Sequence, residues 1–496
     1  MRFFYPLLLV CNMLQASDIF SSQEDLEHYK VDIDAFYETY IIEQRALLDE
    51  LGLGGGGGTL ETTYTPPPNP PPPAFVAGHL PIVLVNRSGY PDSQVYFLIT
   101  GKNLSSINCW GNINGSGVVT LQPVQNGDNS TSYMVALSSL PRSSTGRVAY
   151  VPQTISGLCW FSIGSPLSMG VLGGGIVQPN PTTSSDPNYY TVYDLFEYDF
   201  QAAGSPQISC DATAVSFFSI PQYGYLEGAT SKASNTGLYQ PRSYIMAQVA
   251  KSFNAAPLKN QWNKLILSAS GKPLRVLSTM KSMSIPSFDS DYLDDAAAYG
   301  YSYIENIWDG ASSFYRDNDC KMTVTVTDPS TATYDYVGRV GVSDEFEFTS
   351  TNGGPAVTFL APVTGSSQTL NTSYLIFAAQ NLTVAGGASQ PTAGTADDAV
   401  SKLFEEAVIA GLVPTTNTLS LDYLSANQAN YYKTNTNLTA TGQASGPWYD
   451  LYSKALHSLG SIYTYGFDEP LWPNVLLTGP FQENATYLGI TIGNCE

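Results

Sequence analysis

The chain has 496 residues, more than one hydrophobic core usually organises, so two or three parts are expected. Its 21 Lys and Arg stand against 42 Asp and Glu, a net charge of −21, which excludes the basic surface that nucleic acid or an anionic membrane would need. Charged residues make up only 13% of the chain and apolar ones 43%, with 33 Tyr, 43 Gly and 32 Pro, a texture of exported, loop-rich β proteins rather than helical cytosolic enzymes.

In chain order, Met1-Arg2 precedes the apolar run Phe3–Val10, and small residues follow at Ala16-Ser17. Residues 1–16 read as a secretory signal, so the mature chain is expected to be secreted, or held at the cell surface or in the periplasm. Neither this run nor any later one is long enough for a membrane-spanning helix. Residues 17–51 form a predicted N-terminal helix. Between 22 and 51 apolar residues recur at Leu26, Tyr29, Ile33, Phe36, Tyr40, Leu47 and Leu51, close to the helical period. Residues 52–78 read as a linker, with flexible Gly54–Gly58 followed by the stiff run Pro66–Pro73.

From His79 the pattern becomes β. Leu80–Val85 and Gln94–Thr100 are strand-like, and Gly, Asn, Ser and Pro clusters break the runs at short intervals. This texture holds over 79–235 and predicts a β-sandwich or barrel. Residues 236–450 read as a mixed α/β lobe, with helices over Pro241–Phe253, Tyr292–Trp308 and Ala396–Gly411 and strands over Met322–Thr327 and Arg339–Val342. Residues 451–496 form a C-terminal segment ending in a strand over Tyr487–Ile492. The sequence has no internal repeat.

Cysteines stand at 11, 109, 159, 210, 320 and 495. Loss of Cys11 with the signal leaves an odd number, so at most two disulfides and one thiol are expected. The three His (28, 79, 457) are scattered and no Cys/His cluster is present, so neither a metal nor a cofactor is expected.

Several segments, taken together and in order, resemble glycoside hydrolase family 64, β-1,3-glucanases related in fold to thaumatin-like proteins. Ser93–Gly101 looks like the opening strand pair. Phe161–Gly164, Val177–Pro179 and Ser185–Asn188 are similar to the central signature. Tyr193–Asp199 looks like the strand carrying the catalytic Glu, and Asp211–Pro221 like the strand after it. Leu274–Leu277, Phe288-Asp289 and Tyr303–Trp308 match the α/β part; Tyr431–Lys433, Tyr452–Lys454 and Tyr463–Pro470 match the closing segment. The resemblance implies a mainly β fold with α/β, a thaumatin-like β-sandwich or barrel plus a mixed α/β lobe that together form an open groove. It further implies endo-type cleavage of β-1,3-glucan with inversion, by a Glu acid and an Asp base on neighbouring strands.

Inversion needs a protonated carboxyl for the leaving oxygen and a carboxylate about 6.5–9.5 Å away to activate water. Glu197 stands at the position of the acid. Where the family reads Val-Asp-Phe, this chain reads Val215-Ser216-Phe217, and a neutral serine hydroxyl is no carboxylate base. Asp199 replaces an expected small polar residue. It shares a strand face with Glu197 by alternation, at about 6.6 Å along the chain. Asp211 lies near an acidic position that thaumatin-like proteins retain. Three readings stay open: the base has moved to Asp199 or Asp211 and hydrolysis continues; catalysis is lost and the groove still binds glucan; or the acids are structural. A cell-surface structural or adhesion protein is a further alternative. On the same resemblance Thr213, Ser216, Tyr189, Tyr190 and Tyr223 are expected to line the substrate, with Trp160 and Tyr225 close by in sequence, and Asp468 and Glu469 are expected to border the groove. Flat tyrosine rings suit the apolar faces of glucose units.

Overall fold

The computed structural model describes residues 64–496 apart from 202–207, 286–320, 328–331, 342–344, 361–362, 365–368, 371–395, 414–417, 423–448, 466–467, 469–474 and the single positions 232, 257, 270 and 412. The helix expected over 22–51 and the one over Tyr292–Trp308 lie outside the described residues.

The fold is mainly β, and two sheets pack face to face. A five-stranded sheet runs in the order Asn235–Gly237, Gln222–Leu226, Leu488–Ile492, Leu80–Asn86, Arg147–Val151. The last strand of the chain pairs in parallel with Leu80–Asn86, Val83 opposite Gly489, so the C-terminal segment returns into the middle of this sheet. The larger sheet runs Leu477–Gly479, Ile208–Ala212, Val192–Phe200, Thr154–Ile163, Val95–Lys102, Asn108–Ile113, Val119–Pro123. Alternation sends Phe196, Tyr198 and Phe200 into the core between the sheets, where Phe97, Phe161, Ile82 and Ile490 are also buried. The two sheets meet at Gly224, where a Cβ would come within 2.6 Å of the Phe196 ring. No larger residue fits there.

The proline run does not behave as a free spacer. Pro70 and Pro73 are buried and Pro67 half-buried, while 66, 68, 69, 71 and 72 are exposed. That is the three-residue period of a polyproline II helix lying on one edge. It rests on the outer face of the five-stranded sheet, where the Tyr487 hydroxyl donates to the Pro70 carbonyl at 2.6 Å. Gly489 makes the approach possible, because a Cβ there would stand 2.5 Å from the Pro70 ring.

The α/β part begins where Phe217–Phe218 pairs with Lys272–Leu277, which in turn pairs with Ile266–Ala269. Helix Arg242–Asn254 buries Ile245, Met246, Val249 and Phe253. Further on, a five-stranded sheet in the order Val357–Leu360, Glu345–Ser350, Thr333–Val340, Lys321–Thr327, Thr418–Asp422 packs on helix Ala396–Ile409. Phe404 of that helix meets Phe346 at 4.5 Å and Phe359 at 4.9 Å. Helix Leu451–His457 is capped by Asp450, and its Tyr452 hydroxyl donates to the Ala214 carbonyl at 2.6 Å, beside the site described below.

Cys109, Cys159, Cys210 and Cys495 are all buried free thiols, so none of the allowed disulfides joins two of them. Among the described residues no helix is long and apolar enough to cross a membrane.

Candidate active site

The strand Val192–Phe200 lies between Thr154–Ile163 and Ile208–Ala212. With Phe196, Tyr198 and Phe200 committed to the core, Leu195, Glu197 and Asp199 point to the opposite face. Glu197 stands across from Leu158 on one side and Asp211 on the other. On this face a cleft of about 230 Å³ is lined by Leu158, Leu195, Glu197 and Asp194, by Gln178 from the preceding loop, and by Thr213, Val215, Ser216 and Phe217.

Glu197 is half-buried. Burial pushes its carboxyl above the usual glutamate range, and a hydrogen bond with the Thr213 side chain pulls partly the other way. The carboxyl lines the cleft. Asp211 occupies the same cross-strand rung and is only 8% exposed. Directly opposed side chains carry Cβ atoms about 4.5–5.5 Å apart, so the two carboxyls are neighbours. Ser216 and Thr213 are in the cleft. The Ser216 carbonyl accepts from the Ser278 amide at 3.1 Å, and Thr213 bridges to Tyr463, whose carbonyl accepts from the Ala214 amide at 2.6 Å. The segment after Leu451–His457 therefore lies directly beside the cleft strand.

Other expected residues are placed elsewhere. Asp199 accepts the Ser156 amide at 2.9 Å with one oxygen and the Gln201 side-chain amide with the other. Ser156 has φ +49°, at the point where the register slips between Tyr198 and Phe200. The carboxylate thus stabilises a bulge, and Asp199 is not part of the cleft lining. Tyr223 and Tyr225 face away from Glu197, because Gln222, Gly224 and Leu226 on their strand take the inward positions. Tyr223 packs edge-on against Tyr239 at 5.5 Å, and Tyr225 against Tyr487 at 5.9 Å. Trp160 is a core residue, its indole N–H donating to the Thr100 hydroxyl at 3.0 Å. Asp468 is fully buried. Its Oδ2 accepts from the Thr464 amide at 2.7 Å and lies 3.0 Å from His457 Nε2, so it fastens a loop rather than bordering a groove. Glu469 lies outside the described residues. Tyr189 and Tyr190 lie on the segment between Gln178, a cleft residue, and the strand Val192–Phe200, and neither lines the cleft. Tyr190 is 69% exposed, and the two rings meet edge-to-face at 5.0 Å.

Two residues were not anticipated. Asp194 is buried in the cleft floor, where its Oδ2 accepts the Ser219 and Ile220 amides at 2.8 and 2.9 Å and its Oδ1 the Leu195 amide at 2.9 Å. Burial nevertheless outweighs these donors and raises its carboxyl to about 7. Arg275 is fully buried, with its guanidinium 4.5 Å from the Tyr193 ring centre and Nη2 donating to the Tyr189 and Thr191 carbonyls at 2.7 and 2.8 Å. The sequence trace of each is a charged residue next to apolar ones in a strand, Asp194 beside Leu195 and Arg275 between Leu274 and Val276. Among the described residues no cluster of His, Cys, Asp and Glu is arranged to hold a metal ion.

A cleft glutamate whose proton affinity is raised by burial, with a second carboxyl on the same rung, is an arrangement of glycoside-hydrolase type. The chain is a member of glycoside hydrolase family 64, the β-1,3-glucanase family, whose model matches residues 78–469. It is 27% identical over 210 residues to a glucan endo-1,3-beta-glucosidase of Cellulosimicrobium cellulans and 26% identical over the same length to one of Arthrobacter sp. (strain YCWD3). In both cases the match covers 42% of this chain and 34% of the relative, so the chain spans about a third of the length of these curated relatives. In fold it resembles a laminaripentaose-producing beta-1,3-glucanase solved in complex with laminaritetraose, with a TM-score of 0.60 and 18% identity. A beta-1,3-glucanase domain from Clostridium beijerinckii gives a TM-score of 0.59, also at 18% identity. Each likeness covers 85% of this chain and 100% of the other.

Proposed function

We propose that the protein is a β-1,3-glucan-active glycoside hydrolase of endo type in which Glu197 is the proton donor. The observation that carries this reading is the half-buried Glu197 carboxyl, raised by burial and open to the cleft. Its proton goes to the glycosidic oxygen as the bond to the anomeric carbon breaks, and water enters from the opposite face of the sugar. Water must lose a proton to a carboxylate, which Ser216 does not supply. Asp199 is engaged at its bulge. Of the candidate carboxylates Asp211 remains, on the same rung as Glu197. Thr213 and Ser216 supply hydroxyls to sugar in the cleft, and Tyr189 and Tyr190 offer rings on the segment that leads into the Glu197 strand.

A second reading, glucan binding without hydrolysis, is favoured by one observation: Ser216 lies in the cleft at the position where the family resemblance calls for the water-activating carboxylate. Two experiments separate the readings. Incubation with laminarin releases oligosaccharides if the protein hydrolyses, and Glu197→Gln abolishes that release. If the wild type releases none yet is retarded in laminarin-containing gels, the binding reading holds, and hydrolysis gained by Ser216→Asp marks a degenerate enzyme. Lack of retardation counts against both. The run Phe3–Val10 followed by Ala16-Ser17 supports export to the outside of the cell, where such glucans occur; N-terminal sequencing of the mature protein tests it.

A further inference from the structure

Arg275 is an expensive residue to bury. Among the described residues no carboxylate pairs with it at hydrogen-bond distance, and removing a guanidinium from water is costly without compensation. If the position served only to fill space between strands, an aliphatic residue of similar volume would do so at lower cost. What the guanidinium adds is specific. One nitrogen, Nη2, donates to the carbonyls of Tyr189 and Thr191, the residues on either side of Tyr190. Holding both neighbours by their carbonyls on the interior side turns residue 190 outward, and Tyr190 is 69% exposed while Tyr189 is half-buried beneath it. The guanidinium plane is itself fixed by rings, 4.5 Å from Tyr193, 5.6 Å from Phe217 and 6.0 Å from Tyr189. Phe217 is a wall of the cleft, and its strand pairs with the strand that carries Arg275. One buried side chain thus ties the cleft wall at Phe217 to the segment Tyr189–Thr191.

We infer that Arg275 is a positioning residue that presents Tyr190 as a stacking platform for a glucose unit far from the point of cleavage. The inference rests on the glucan reading given above. Tyr190 precedes Glu197 by seven residues in the sequence, about 23 Å along an extended strand, so only long β-1,3-glucan chains reach from the proton donor to the platform. Arginine is suited to this task because one terminal nitrogen serves both carbonyls while the guanidinium face stacks on rings; lysine offers no such plane.

The test is a double-mutant cycle on the full chain, read as retardation in gels containing laminarin and needing no hydrolysis. Tyr190→Ala is expected to weaken laminarin binding about two- to tenfold, the value of one aromatic contact. Arg275→Met should weaken it to the same extent, and the double variant should be no weaker than either single one. Arg275→Lys serves as a second variant, with Tm recorded for each. Binding unchanged in Tyr190→Ala, or a double variant whose losses multiply, overturns the inference, and the first of these needs no change in the core. Wild-type protein that is not retarded at all fails the glucan reading itself, and the inference falls with it. Loss of binding by Arg275→Met in a background that already lacks Tyr190 assigns the arginine a structural role and overturns its action through the platform.

Discussion

Asp194 offers a prediction whose sign and size follow from its surroundings. The side chain is 2% exposed and accepts three backbone amides, two of them from the turn after Phe217–Phe218. In Asp194→Asn the amide nitrogen replaces one acceptor oxygen and leaves at least one buried N–H unmet, a cost of about 1–3 kcal/mol at any pH. The pH dependence is separate from this cost. In the native protein the carboxyl titrates at about 7, against 3.8 for an unburied aspartate. Because the native value lies above the unfolded one, no penalty exists below pH 4, where both states are protonated. As the pH rises from 4 to 7 the unfolded chain ionises and the native one does not, so wild-type stability falls. Three pH units at 1.36 kcal/mol each amount to about 4 kcal/mol. Subtracting the variant from the wild type removes the contribution of the other buried carboxyls, such as Asp450. Urea denaturation of both proteins at pH 4, 5.5 and 7 should show a wild-type advantage at pH 4 that falls by about 4 kcal/mol by pH 7 and so reverses in sign. Parallel pH profiles for the two proteins would refute the reasoning.

Three further outcomes are expected. Asp450→Ala removes the helix cap that accepts the Tyr452 amide, the Thr279 hydroxyl and the Ser453 hydroxyl, and should cost about 2–4 kcal/mol in denaturation experiments. Gly489→Val places a side chain where the Pro70 ring lies, so chymotrypsin should cut near Tyr64 and Phe75 faster than in the wild type while laminarin retardation is unchanged; an unaltered digestion pattern counts against docking of the proline run. Gly224→Leu should abolish folding of the sandwich, seen as loss of the cooperative melt, because its side chain would occupy the space of the Phe196 ring.

How much of this was legible in the sequence depended on the range of the interaction. Local alternation reveals the strand Val192–Phe200 and places Glu197 opposite the core residues Phe196 and Tyr198, and helical spacing locates Ala396–Ile409. The Glu197–Asp211 rung was not legible, since register across two strands depends on the turn that joins them rather than on spacing along either one. Alternation correctly puts Asp199 on the Glu197 side but is blind to the Ser156 amide that occupies its carboxylate. Tyr223 and Tyr225 looked close to the site because sequence distance to Asp211 is short; the chain crosses to the other sheet between them and the cleft. The proline run read as a spacer because composition describes its stiffness and not the Gly489 and Tyr487 surface that receives it. Arg275 shows the same limit, since its partners lie more than eighty residues upstream.

If Glu197 is the proton donor, replacing it must stop cleavage of β-1,3-glucan in this cleft. Oligosaccharide release from laminarin by the wild type and by Glu197→Gln, with gel retardation recorded for both, decides this. Release is expected from the wild type and lost in the variant, with both proteins retarded. Equal release by the two proteins, or none by a wild type that melts cooperatively, would contradict that role.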